Sequence, residues 1–191
     1  MRRGVPAASR SPLSEEVKGE LARIPLPACD RQVLAALLPR AGHLGVPARR
    51  LAHRAEVSAP HAVLRRTCCR RAYLRGLFLA GGSLSAGASG YLLELRPPRG
   101  ETVRARAALR AEGLAARERL RRGRRVLTLR AADQISAFLR AAGAVETLLR
   151  FESRRVGREV RGRTNAAVNA DAANAARAVS AASAQTAAIR S

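Results

Sequence analysis

Laid on itself at an offset of forty residues, this sequence repeats: residues 29–44 match residues 69–84. The identities pair Cys29 with Cys69, Arg31 with Arg71, Leu34 with Leu74, Leu37 with Leu77, Gly42 with Gly82 and Leu44 with Leu84, and Ala36 with Gly76 and Leu38 with Phe78 are conservative. Each copy carries apolar residues at helical spacing and ends at a glycine suited to a helix C-terminus. The repeated unit is therefore a helix that stops abruptly. Ala36 and Gly76 fall at equivalent points, where small side chains let two such helices approach closely about a pseudo-twofold axis. Pro39, inside the first copy, removes a backbone hydrogen bond and predicts a kink there.

The segments around the repeat predict a mixed α+β chain. Ser11-Pro12-Leu13-Ser14-Glu15-Glu16 is a helix start with serine caps, proline in the first turn and acids at the positive end of the dipole, leading to a short helix ending near Arg23. After the second copy, 85–90 reads as a small-residue loop, 91–95 as a strand closed by Pro97-Pro98, and 101–112 as a helix. Strands at 114–120 and 125–130 flank Arg121-Arg122-Gly123-Arg124, a basic hairpin turn. Asp133 opens a further helix, and 144–163 reads as one long helix with Leu148, Leu149, Phe151 and Val156 as apolar contacts. From Asn165 to Ser191 there are 13 alanines and no aromatic residue, so a helix forms there by propensity with little apolar surface to bury.

Charge sets the partner class. The chain of 191 residues has a formal net charge of +22, from 36 basic against 14 acidic residues, and Lys18 is its one lysine. Clustered arginine drives counterion release from phosphate backbones and grips phosphate with a planar fork, which makes nucleic acid the leading partner. An arginine- and alanine-rich composition also follows from GC-rich codon usage, but that does not explain the sign of the charge. No apolar run reaches 18 residues and no signal-peptide core follows Met1-Arg2-Arg3, so a cytoplasmic, nucleoid-associated protein without a membrane partner is expected. Three cysteines without a C-x-x-C pair are expected to be reduced and partly buried. His43, His53 and His61 with Cys68 and Cys69 match no standard zinc spacing, and Gly81-Gly82-Ser83 follows a helix where a phosphate loop would precede one. No metal, cofactor or small-molecule substrate is expected.

The stretch Leu74-Arg75-Gly76-Leu77-Phe78-Leu79-Ala80-Gly81-Gly82 resembles the LAGLIDADG helix. With residues 13–24, 68–83 and 133–140, and an Asn-rich stretch at 165–174, the chain resembles the WhiA-type sporulation transcription regulators. That resemblance implies a degenerate homing-endonuclease-like domain joined by a connector to a helix-turn-helix domain, acting in sporulation control, cell division and chromosome segregation. It also implies a β-sheet saddle laid on DNA. The expected organisation is a flexible basic tail at 1–10, a degenerate LAGLIDADG-like domain with paired motif helices and a small antiparallel sheet at 11–152, and a helical Ala-rich connector at 153–191. That connector is directed toward a helix-turn-helix domain expected to be absent. The first half of the domain is shortened, because Gly45 to Thr67 is too short to supply a sheet.

In active LAGLIDADG enzymes each motif helix places a carboxylate at its eighth position to hold divalent metal beside the scissile phosphates. The matching positions here are Ala41 and Gly81, neither able to ligate a cation, and Asp30 and Glu94 stand too far along the chain to compensate. The expectation is a non-catalytic DNA-binding protein of weak sequence specificity, with Arg121, Arg122, Arg124 and Arg125 as DNA-contact candidates and a protein partner as a further possibility. Two alternatives stand beside it: a basic RNA- or ribosome-associated protein, disfavoured by 3% aromatic residues, and an active LAGLIDADG endonuclease.

Overall fold

The computed structural model describes residues 12–25, 27, 30, 33–34, 37–38, 46–54, 64–87 and 90–190. Helix α1 (Pro12–Arg23) and α2 (Val46–Arg54) precede the motif helix α3 (Thr67–Gly81), which runs directly into β1 (Gly82–Gly87) and β2 (Gly90–Leu95). Helix α4 (Thr102–Ala111) leads to β3 (Arg117–Arg121) and β4 (Arg124–Leu129), followed by α5 (Ala132–Ala142) and the 46-residue α6 (Val145–Arg190). The chain divides into two units, Met1–Arg150 and Phe151–Ser191. The architecture is α+β.

Two hairpins side by side make one antiparallel sheet of order β1-β2-β4-β3. Paired residues share a face, so the register assigns the two sides. Leu84, Leu93 and Leu129 form one cross-strand row, and Leu95 pairs Leu127 beside it. All five are buried, and with Tyr73, Leu77, Phe78, Leu109, Ile135 and Phe138 they form the core of the first unit. The rings of Phe78 on α3 and Phe138 on α5 stand 5.9 Å apart at 44°, a tilted arrangement that suits aromatic quadrupoles.

Both edges of the sheet are treated chemically. Ser14 Oγ, buried in α1, donates to Leu84 O at 2.9 Å and accepts from Leu84 N at 2.7 Å, closing the outer edge of β1. Ser14 was expected to cap its own helix; it serves the sheet instead, because a hydroxyl can donate and accept at once. The opposite edge is β3, with arginine at every second position.

Helix α3 ends at Gly81, and Gly82 (φ −80°, ψ 150°) is already extended, so the helix becomes a strand without a loop. Residues 85–87, expected as loop, belong to β1, because β2 supplies a complete ladder that outweighs the poor strand propensity of Ser, Ala and Gly. The second hairpin is tighter than expected. Arg121 pairs Arg124, leaving a two-residue turn in which Arg122 (φ 50°) and Gly123 (φ 70°) are both left-handed, the type I′ geometry that matches strand twist.

The close approach expected at Gly76 is present. A Cβ added there would lie 2.7 Å from Leu37 Cδ2 and 2.9 Å from Leu34 Cδ2, so the described part of the first motif copy packs on the second through this gap. Val33, Leu34, Leu37 and Leu38 are all buried. Ala36 and Pro39 lie outside the described residues. The start of α6 is held within the first unit: Glu20 accepts from Glu146 N at 2.8 Å, Thr147 N at 2.9 Å and Thr147 Oγ1 at 2.6 Å, a carboxylate at a positive helix end. Further along α6, Leu149 and Val156, expected as apolar contacts, are 64% and 55% exposed. The buried positions here, Ala144, Thr147 and Phe151, recur at helical spacing, and Leu149 lies off that stripe.

Candidate nucleic-acid interface

The face of the sheet opposite the leucine rows is polar and basic. Ser83, Glu94, Thr128 and Arg117 form one row across all four strands, Val126 with Arg119 the next, and Arg124 with Arg121 a third toward the turn. Arg117, Arg119, Arg121 and Arg124 are exposed. Arg96, directly after β2, joins them, since its Nη2 donates to Glu94 Oε1. Arg121 Nη1 donates to Glu94 Oε2 at 2.9 Å, so the Arg121 side chain spans β4, whose Val126 and Thr128 on this face are buried. Arginine stems cover apolar sheet while their heads stay in water.

Of the four arginines expected at the hairpin, the structure brings Arg121 and Arg124 together on this face and puts Arg122 at the tip of the turn. Arg125 is separated from them: it pairs with Leu120 on the helix-covered side and donates to Glu118, which also takes Arg106 at 3.3 Å. Arg96, Arg117 and Arg119 were missed. The period-two alternation of arginine in Arg117-Glu118-Arg119-Leu120-Arg121 marks one strand face and could have located two of them.

The eighth position of the second motif copy has a steric character that its identity alone does not convey. Gly81 O accepts from Arg96 N at 3.1 Å, and a Cβ built on Gly81 would stand 2.6 Å from Arg96 O and 3.1 Å from Arg96 Cβ. Backbone occupies the place where a carboxylate stem would leave the helix. Ala41, the matching position in the first copy, lies outside the described residues.

The two acids weighed as substitutes are both engaged. Asp30, buried, forms an ion pair with Arg75 of α3 at 3.6 Å. Arg75 Nε also donates to Ala142 O at the end of α5 at 3.1 Å, a cation at a negative helix end. Burial pushes the Arg75 guanidinium below its usual value and Asp30 opposes that shift. Glu94 sits closer to the motif helix than its sequence distance suggests, opposite Ser83 and two residues beyond Gly81, yet each of its oxygens holds an arginine. Among the described residues no three His, Cys, Asp or Glu side chains are grouped to hold a metal ion. Cys68 is exposed and Cys69 buried, neither in a disulfide.

A helix ending in glycine at the foot of an antiparallel sheet, with Leu34 and Leu37 of the first copy packed into the gap at its Gly76, defines a LAGLIDADG-like α+β domain. Residues 70–161 match the WhiA LAGLIDADG-like domain. The chain is 42% identical over 117 residues to the "Probable cell division protein WhiA" of Carboxydothermus hydrogenoformans, covering 61% of this chain and 38% of that relative. It is 39% identical over 134 residues to the protein of the same name from Heliobacterium modesticaldum, covering 69% and 41%. Its fold is similar to the crystal structure of the N-terminal LAGLIDADG domain of DUF199/WhiA, with TM-score 0.55, 20% identity, and 72% of this chain and 93% of that chain covered. It is similar likewise to full-length DUF199/WhiA from Thermatoga maritima, with TM-score 0.58, 20% identity, and 84% and 74% covered. Residues 70–161 therefore belong to the WhiA LAGLIDADG-like domain family, and the chain spans about two fifths of the length of the curated relatives it matches. No described helix is long and apolar enough to cross a membrane.

Proposed function

We propose that this chain binds DNA through the basic face of its sheet and does not cut it. The observation that carries the reading is the gathering of Arg96, Arg117, Arg119, Arg121 and Arg124 on the face opposite the core. Against them stands one carboxylate, Glu94. A net of about four neutralised phosphates makes log K fall by about 3.6 per decade of salt, roughly 150-fold between 50 and 200 mM. The contacts are to phosphate, which positions a protein without reading bases, so weak sequence preference follows for this face alone. Loss of cutting is supported by Gly81, whose carboxylate site is filled by the Arg96 carbonyl, and by the engagement of Asp30 and Glu94 with arginines.

The relatives named as probable cell division proteins WhiA support a role of this binding in cell division. Sporulation transcription control, chromosome segregation and a nucleoid location belong to the same proposal, with a protein partner as a further element. The test is fluorescence polarisation with labelled duplex across a salt series, alongside plasmid nicking with magnesium. Salt-sensitive binding that weakens when Arg119, Arg121 and Arg124 are changed to glutamine, with no nicking, is the expected result. Binding absent at low ionic strength, or magnesium-dependent cleavage, overturns it.

A further inference from the structure

We infer that Glu94 is a positioning residue of this face: a buried carboxylate that clamps Arg96 and Arg121 into a fixed two-guanidinium cradle for one backbone phosphate. The inference rests on the DNA-binding reading above. Glu94 lies in the middle of the sheet, on β2, with its side chain 4% exposed beneath the two arginines it holds. Each carboxylate oxygen takes a different guanidinium, Oε1 from Arg96 and Oε2 from Arg121. The two arginines come from opposite sides of β4 in the sheet order, one after β2 and the other at the end of β3. Without an anion between them their like charges drive them apart. Their side chains remain 47% and 60% exposed, and one of the five N–H donors on each guanidinium accounts for the bond to Glu94. The outward edges of both forks are thus held ready for an acceptor above the sheet.

A carboxylate in a DNA-binding face can act in two opposite ways. As a mere counter-charge it lowers affinity, and its removal tightens binding while steepening the salt dependence by about one unit. As a clamp it removes in advance the rotational freedom of two long side chains, and its removal weakens binding. Burial favours the second, because the carboxylate is screened from the ligand by the arginines it holds.

The experiment is duplex-DNA polarisation at several salt concentrations with wild type, Glu94→Gln, Arg121→Lys and Arg96→Lys, each checked for fold by circular dichroism and thermal melting. Lysine keeps the charge at an exposed site but loses the planar fork, so these two variants read out positioning even where Glu94→Gln destabilises the sheet. The expected result is about fivefold weaker binding for Glu94→Gln and for Arg121→Lys at every salt concentration, with the salt slope unchanged. Tighter binding by Glu94→Gln with a steeper slope, or lysine variants that bind as wild type, overturns the clamp. Wild type that fails to bind DNA at all overturns the functional reading itself.

Discussion

Returning an acid to the motif helix tests whether Gly81 is only a lost ligand or is now a structural necessity. Two variants separate the effects. Gly81 is helical with no positive φ, so Gly81→Ala gains up to about 1 kcal/mol in helix propensity if nothing else intervenes. A methyl at this site, however, meets the Arg96 carbonyl oxygen at 2.6 Å. That oxygen is backbone, tied to α3 by the Arg96 N to Gly81 O bond of 3.1 Å, and it cannot rotate away. Relief requires β2 to move from α3, an overpacking cost of about 1–3 kcal/mol that outweighs the propensity gain. The net expectation for Gly81→Ala is destabilisation by about 1–2 kcal/mol, or roughly 2–8 °C in melting temperature for a unit of this size. Gly81→Asp adds a carboxylate facing a carbonyl oxygen, at a further cost of about 1–3 kcal/mol. Calorimetry gives the melting temperatures, and magnesium-dependent nicking of plasmid DNA is measured on the same preparations. Gly81→Ala melting at or above wild type refutes the steric argument, and cleavage by Gly81→Asp refutes the claim that the site has closed.

Gly76→Ala sets a methyl against the δ-carbons of the buried Leu34 and Leu37 and is expected to cost about 1 kcal/mol, whereas Gly76→Val costs about 3 kcal/mol; urea titration compares them. Arg75→Met removes the cation facing the buried Asp30 carboxylate and is expected to cost about 3–5 kcal/mol, part of it recovered by adding Asp30→Asn; equal loss in the single and double variants argues against the pair. Burial, then the adjacent Cys68, pushes the Cys69 thiol above its ordinary 9.0. The protonated thiol is therefore favoured by the fold, a contribution present below pH 9.0 and lost as pH rises through the folded value. Iodoacetamide is expected to label exposed Cys68 well before Cys69, and mass spectrometry of the native protein showing equal rates contradicts the assignment.

What was legible in the sequence depended on how local its cause was. The second-copy helix, its end at Gly81 and the gap at Gly76 follow from side-chain size and spacing along one element, and the described residues show them; the end of the first copy lies outside the described residues. The basic hairpin was legible for the same reason. The extent of β1 was not, because Ser85 to Gly87 have no strand preference and are held by a partner strand. That Arg125 takes the other face from Arg121 and Arg124 was not legible, because turn position says nothing about which face a strand residue takes until the register is known. Arg96 was invisible: it lies 25 residues before Arg121, and only Glu94, through a pairing across the sheet, brings them together. Closure of the carboxylate site at Gly81 was equally hidden, since its cause is a backbone atom from another strand.

The bond pair from Ser14 to Leu84 has a consequence beyond local packing. An antiparallel sheet with two open edges is a template on which further copies can stack. Here one end of the template is sealed by a hydroxyl that uses the donor and the acceptor of Leu84 together. The other end is β3, where a second copy seeking to extend the sheet would have to set Arg117, Arg119 and Arg121 against an identical row. The four-stranded sheet is thus bounded by chemistry on one side and by repulsion on the other, and the arginines that suit it to a polyanion also keep it from joining to itself.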